Sequence, residues 1–226
     1  MANAGGNRKS LLIVGGVLLV VVLGALSYVF FQKSPTASSS SATYTTQVKG
    51  AVVTAGKAAP STVDIYEDFL CPICGRFEST DGADIRQAIA DGKVQVRFHP
   101  VAILNRGTNP TGYSTRAANA AICAADAGKY ADYHDKLFAE QPEENSAGLT
   151  DQELVAKGTA IGLSGGFASC VTGHKHNAAV DAATAAAAKD TSLRAEGSKG
   201  FGTPTVLVNG KVVAWRDSDW LTAITK

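Results

Sequence analysis

Apolar and polar positions divide this chain of 226 residues into an unpatterned front and a patterned remainder. Leu11 to Phe31 is 21 residues without a charge, enough at ~1.5 Å per residue to cross a hydrocarbon core of ~30 Å. It predicts a transmembrane helix. Arg8 and Lys9 precede the run and only Lys33 follows closely, so the positive-inside bias makes residues 1–10 cytoplasmic and exports what comes after. Tyr28 then belongs near the outer interface. The competing reading is a cleaved signal peptide with Ala25-Leu26-Ser27 as its small-x-small site; the Tyr28-Val29-Phe30-Phe31 extension of the apolar run argues against it. Residues 32–46, rich in Ser and Thr, have too little apolar content to pack and read as a tether.

From residue 47 onward the pattern changes to short periodic segments. Thr46 to Thr54 (Val48, Val52, Val53) reads as a short strand and Val63 to Phe69 as a stronger, buried one. Pro72 to about Ala90 places Ile73, Phe77, Ile85, Ala88 and Ile89 at helical spacing, with Gly82 as a candidate kink and Asp91-Gly92 as the stop. Lys93 to Phe98 alternates as a strand, completing a strand–helix–strand unit that pairs in parallel. An Ala-rich helical stretch follows: Thr115–Ala127, Lys129–Ala139, a helix opened by the capping box Thr150-Asp151-Gln152-Glu153, and a long helix from His174 to Ala195. Strands return at 205–208 and 211–213, joined by Asn209-Gly210, a type I′ hairpin signal. Asp217 or Ser218 caps a last helix through Ile224.

The chemistry sits where the strand hands over to the helix, at Cys71-Pro72-Ile73-Cys74. A Cys at a helix N-terminus lies beside unsatisfied N–H groups and the positive end of the dipole, which stabilises its thiolate. A free thiol of pKa ~8.5 is only ~3% ionised at neutral pH, whereas helix-terminal nucleophiles of this type fall to between ~3.5 and ~7.5. Pro72 suits the first helical position because its missing N–H would have been an orphan. Cys71 is therefore expected to be exposed and nucleophilic, and Cys74 to be the shielded resolving thiol. A half zinc site is the alternative, but it needs a second pair or His ligands at matching spacing, and His174 and His176 are about 100 residues away. A purely structural short-range disulfide is the other. No metal or other cofactor is expected, and the four His residues read as surface or strand-end positions.

Charge and cysteine count add two constraints. Residues 47–226 carry 18 basic against 20 acidic residues, a balance that does not suggest nucleic-acid binding. All four cysteines lie in the exported part, where disulfides persist. Cys123 and Cys170 are left to pair with each other as a structural staple; a second relay dithiol is the alternative, less favoured because neither has a Cys-x-x-Cys neighbour or a basic flank.

Two motifs at the right separation carry a family resemblance. Glu67-Asp68-Phe69-Leu70-Cys71-Pro72-Ile73-Cys74 and Gly200-Phe201-Gly202-Thr203-Pro204-Thr205, with helices between them, resemble the active-site run and cis-proline loop of DsbA-like thiol-disulfide oxidoreductases, of the membrane-anchored kind known from actinobacterial and Gram-positive envelopes. The resemblance implies an α/β thioredoxin fold over residues 47–226 with a helical insertion at about 111–198. It also implies that Thr203 presents backbone groups to an incoming peptide and that Pro204 keeps other ligands off the sulfurs. Cys71 and Cys74 are then the catalytic pair, supported by Pro72, Ile73, Thr203 and Pro204. Many relatives carry a buried Glu six residues before the nucleophile; this chain has Ile65 there, leaving Glu67, Asp68 or water for that role. The implied activity is oxidation of exported, unfolded proteins, with electrons passed to a membrane partner of the DsbB or vitamin K epoxide reductase-like type. A reductase or isomerase on the same fold is the main alternative, and a redox-inert anchored binding module the remote one.

Overall fold

The computed structural model describes residues 44–217 and 219–226. The expected span at 11–31 lies outside them. Among the described residues no helix is long and apolar enough to cross a membrane.

Six strands form one sheet in the order β1-β2-β4-β3-β5-β6: β1 Thr46–Lys49, β2 Val52–Ala55, β3 Ser61–Glu67, β4 Val94–Pro100, β5 Thr205–Val208 and β6 Lys211–Val212. The central pair β3 and β4 is parallel and is linked through α1, Pro72–Ala90. The remaining pairings are antiparallel. The 46–54 segment is two strands, not one: Gly50 takes φ +63°, a conformation that suits Gly, and folds Val48 back opposite Val53. Asn209 and Gly210, at φ 49° and 79°, make the tight turn between β5 and β6 that their sequence announces.

The two faces of the sheet follow the period-two alternation of β3 and β4. Val63, Ile65, Val94, Val96 and Phe98 enter the main core, where α1 contributes Phe77, Ile85 and Ile89. Each such side chain adds about 1.5–3 kcal/mol of hydrophobic stabilisation. The opposite face carries a second, smaller apolar cluster around Leu193 and Leu207, and beside it a polar group: Asp64 pairs in register with Arg97, with its carboxylate 2.5 Å from the guanidinium and 2.8 Å from His99. Burial works against charge on Asp64, but these two partners hold its carboxyl below the usual carboxylate range.

Between β4 and β5 lie α2 (Tyr113–Asp126), α3 (Tyr130–Ala139), α4 (Asp151–Ala160), α5 (Gly166–Thr172), α6 (Asn177–Lys189) and a 3-10 turn, Thr191–Leu193. The Thr150/Glu153 capping box opens α4 as its sequence indicates. The single helix expected from His174 to Ala195 is not continuous. His174 adopts φ 53° just after the end of α5, and α6 begins afresh at Asn177. The last helix is one turn, α7 Thr222–Thr225, preceded by Leu221 rather than capped at 217 or 218. A disulfide joins Cys123 in α2 to Cys170 in α5, with Cα atoms 5.9 Å apart, so it links two helices of the insertion.

Candidate active site

Five hydrogen bonds, made by Asp68 and Gln141, shape the approach to α1. Asp68, fully buried, accepts from the Leu70 N–H at 2.9 Å through one carboxylate oxygen and from the Leu104 N–H at 2.8 Å through the other. Its carbonyl accepts from the Cys71 N–H. Gln141, just beyond α3, donates from Nε2 to the carbonyls of Phe69 and Cys71, both at 3.0 Å. The carbonyls of a strand end that has left the sheet are thus satisfied by a side chain from the insertion. No sequence signal marks Gln141; the contact exists only once the insertion docks.

Cys71 is the N-cap of α1, in extended conformation, with Pro72 exposed at the first helical position and Ile73 half-buried. Cys71 and Cys74 are both free thiols. Cys71 retains 7% of its surface and Cys74 none, so the expected exposed nucleophile is largely covered and the contrast is one of degree. The cover is the 203–205 loop: the Cys71 thiol lies 3.4 Å from the Thr203 carbonyl oxygen. The Thr203–Pro204 peptide is cis, as is Asn109–Pro110, which no sequence motif marks.

The two thiols are driven apart electrostatically. A hydrogen bond from the Cys74 thiol, helped by Thr203 and the N–H groups of Cys74 and Ile73, outweighs burial and lowers Cys71 to about 6. Burial, then the neighbouring Cys71, pushes Cys74 well above the ordinary thiol value. At pH 7 roughly nine in ten Cys71 side chains are thiolate. Burial also raises Asp68 to about 6, placing an acid that titrates near neutrality in the turn that leads into Cys71. The position expected to be acidic in relatives, Ile65, is a fully buried core residue.

Beside the thiols, Gly202, Thr203, Pro204, Val213, Trp215 and Arg216 line part of an open groove of about 700 Å³. The Arg216 guanidinium lies 4.3 Å from the centre of the Trp215 ring, giving the groove an apolar wall with a cationic edge.

His134 departs from expectation. It is 97% buried, among Phe69, Phe98, Tyr130 and Phe138, with Nε2 2.9 Å from Glu67 Oε1. Burial disfavours its charge, but Glu67 and Glu78 beside it hold the imidazole well above its ordinary pKa. Nothing local in the sequence reveals this, since Glu67 and His134 are 67 positions apart.

The chain belongs to the Thioredoxin family, whose pattern matches residues 47–226. Its sheet, redox helix and helical insertion are those of the DsbA-like thiol-disulfide oxidoreductases. The crystal structure of reduced DsbA from Mycobacterium tuberculosis is similar, with 32% identity, a TM-score of 0.60, and coverage of 69% of this chain and 75% of that one. Disulfide bond formation protein D of Bacillus subtilis is 29% identical over 171 residues, covering 74% of this chain and 71% of that protein. Serine/threonine-protein kinase PknE of Mycobacterium tuberculosis is 34% identical over 177 residues; the match takes in 75% of this chain and spans only 30% of the kinase.

Proposed function

We propose that this protein is an extracytoplasmic dithiol oxidase that introduces disulfides into exported proteins through Cys71 and Cys74. The observation that carries the reading is the opposed tuning of the two thiols, one lowered to about 6 and the other raised well above the ordinary value. In the oxidised enzyme a substrate thiolate attacks Cys71 Sγ. A bond forms between the two sulfurs, the Cys71–Cys74 bond breaks, and Cys74 departs with the electron pair and takes up a proton. A second substrate thiolate then attacks the substrate sulfur of the mixed disulfide, and Cys71 leaves as a stable thiolate. The substrate gains a disulfide and the enzyme two electrons. Stabilising the Cys71 thiolate stabilises the reduced enzyme and so favours oxidation of others. Thr203 offers its backbone to the incoming peptide, and Pro204 excludes other ligands.

In this reading Leu11 to Phe31 is an uncleaved anchor, the N-terminus is cytoplasmic, and a membrane oxidase of the DsbB or vitamin K epoxide reductase-like type removes the electrons in the same plane. The reduction potential against glutathione tests the direction. A value above about −200 mV is expected; one near −270 mV, with brisk reduction of insulin, favours the reductase alternative.

A further inference from the structure

Three side chains that form no bond to either sulfur converge beside the redox helix: Glu67 at the end of β3, Glu78 one turn beyond Cys74 on α1, and His134 on α3. One ligand-type atom from each lies within 4.8 Å of the others. The Glu67 and His134 side chains keep 1% and 3% of their surface, and Glu78 keeps 9%.

A buried carboxylate is expected to have partners for both oxygens. Here Glu67 Oε1 is served twice, by the Tyr130 hydroxyl at 3.2 Å and by His134 Nε2 at 2.9 Å. Glu67 Oε2 and Glu78 Oε1, both buried, have no hydrogen-bond partner. The nearby guanidinium does not supply one. Arg86 lies 3.9 Å from Glu78 Oε2 but 2.8 Å from Asp135, which takes most of its charge. Three carboxylates, Glu67, Glu78 and Asp135, therefore face one guanidinium and one imidazole, a local deficit of positive charge. A groove of about 210 Å³, lined by Gly75, Glu78, Arg86, Asp135 and Phe138 among others, reaches this cluster from solvent.

We propose that Glu67, Glu78 and His134 form a binding site for one divalent transition-metal cation, with zinc as the reference ion, that clips β3, α1 and α3 together. Two carboxylates with one imidazole is a donor set that zinc accepts, whereas calcium and magnesium take all-oxygen sites. The two bare oxygens supply coordination that costs no existing hydrogen bond, while the His134 imidazole ligates only by releasing the proton that its acidic neighbours hold on it, so metal binding is coupled to proton release. The other compact group, Cys123, Cys170 and His176, offers no thiolate because its sulfurs are bonded to each other.

The test uses the full-length chain in detergent with Cys71 and Cys74 oxidised, so that the active thiols do not compete for metal. Titration with zinc by calorimetry is expected to show one site. Glu78→Gln and His134→Gln should each weaken it by at least about tenfold. Zinc at a hundred times Kd should raise Tm by about 5 °C or more in the wild type and not in the variants. Anomalous scattering from a zinc-soaked crystal, which needs no variant, should place its peak among the three side chains. Absence of binding by the folded wild type, undiminished binding by both variants, or a peak at an exposed histidine such as His174 overturns the proposal and leaves a hydrogen-bonded acid–imidazole cluster.

Discussion

The two cysteine pairs consist of the same atoms in opposite surroundings. Cys71 caps the N-terminus of α1, where N–H groups point at its sulfur. Cys123 and Cys170 lie in the last turns of α2 and α5, where the carbonyls point outward and the dipole is negative, so their thiolates would be disfavoured. One pair is three positions apart and changes state; the other is 47 apart and bonded. Position on the helix, more than the residue type, separates a reagent from a staple.

The sharpest way to break the comparison is to remove each pair in turn. Cys71→Ser is expected to reduce thiol exchange by more than about a thousandfold, since the thiolate is the nucleophile and hydroxyl does not replace it. Cys74→Ser should retain the first attack and accumulate mixed disulfides visible on non-reducing gels. Cys123→Ala with Cys170→Ala should leave exchange within about twofold, because the staple is not in the chemistry. Loss of exchange in a folded double variant would make the second pair a relay.

Stability should respond in the reverse order. A loop of 47 residues contributes about 4 kcal/mol in the chain-entropy account. The double variant is therefore expected to melt roughly 10 °C lower by calorimetry. Cys71→Ser should shift Tm far less.

Alkylation of the reduced protein across pH gives a third contrast. Cys71 should react with an apparent pKa near 6, Cys74 only in strong alkali, and Cys123 and Cys170 not at all while the fold persists. Peptide mapping assigns each modification. Equal reactivity of Cys71 and Cys74 would remove the asymmetry on which the proposed direction rests.

The sequence makes some of this legible because the relevant contacts are local. Cys71, Pro72 and Cys74 sit within one turn, so spacing alone places both thiols at a helix start, and Asn209-Gly210 announces its turn. Where tertiary contacts decide, sequence reading fails. A left-handed His174 splits an Ala-rich run that propensity would keep whole. Gln141 and His134 reach the site only through docking of the insertion, so neither the carbonyl clamp nor the buried Glu67–His134 contact follows from periodicity. The cover over Cys71 comes from a loop 132 positions downstream.

The smallest expected effect is also the most direct reading of Cys71. Its thiol titrates at about 6 in the folded reduced protein and near 9.0 when free of the fold. Between those values the unfolded chain binds more protons than the folded one, so the stability of the reduced form should rise with pH from about 6 toward 9 and the gain should vanish below 6. The oxidised form has no thiol at this position and serves as the reference, cancelling groups that titrate alike in both. Cys74, raised rather than lowered, opposes the gain only where the unfolded thiol ionises, near and above 9. Asp68, raised by burial from 3.8 to about 6 and further by the Cys71 charge, opposes the gain between those values, at the lower edge of the window; Asp68→Asn should steepen the rise there. Because Cys71 keeps some contact with solvent, the realised change is expected to be roughly 1–2 kcal/mol over the window, below the roughly 4 kcal/mol that a slope of about 1.4 kcal/mol per pH unit would give over about three units. Urea unfolding of both redox forms between pH 5.5 and 8.5 measures it. A difference that stays flat would mean that the helix terminus and Thr203 do not hold a thiolate at all, and the two cysteine pairs would then differ in bonding but not in charge.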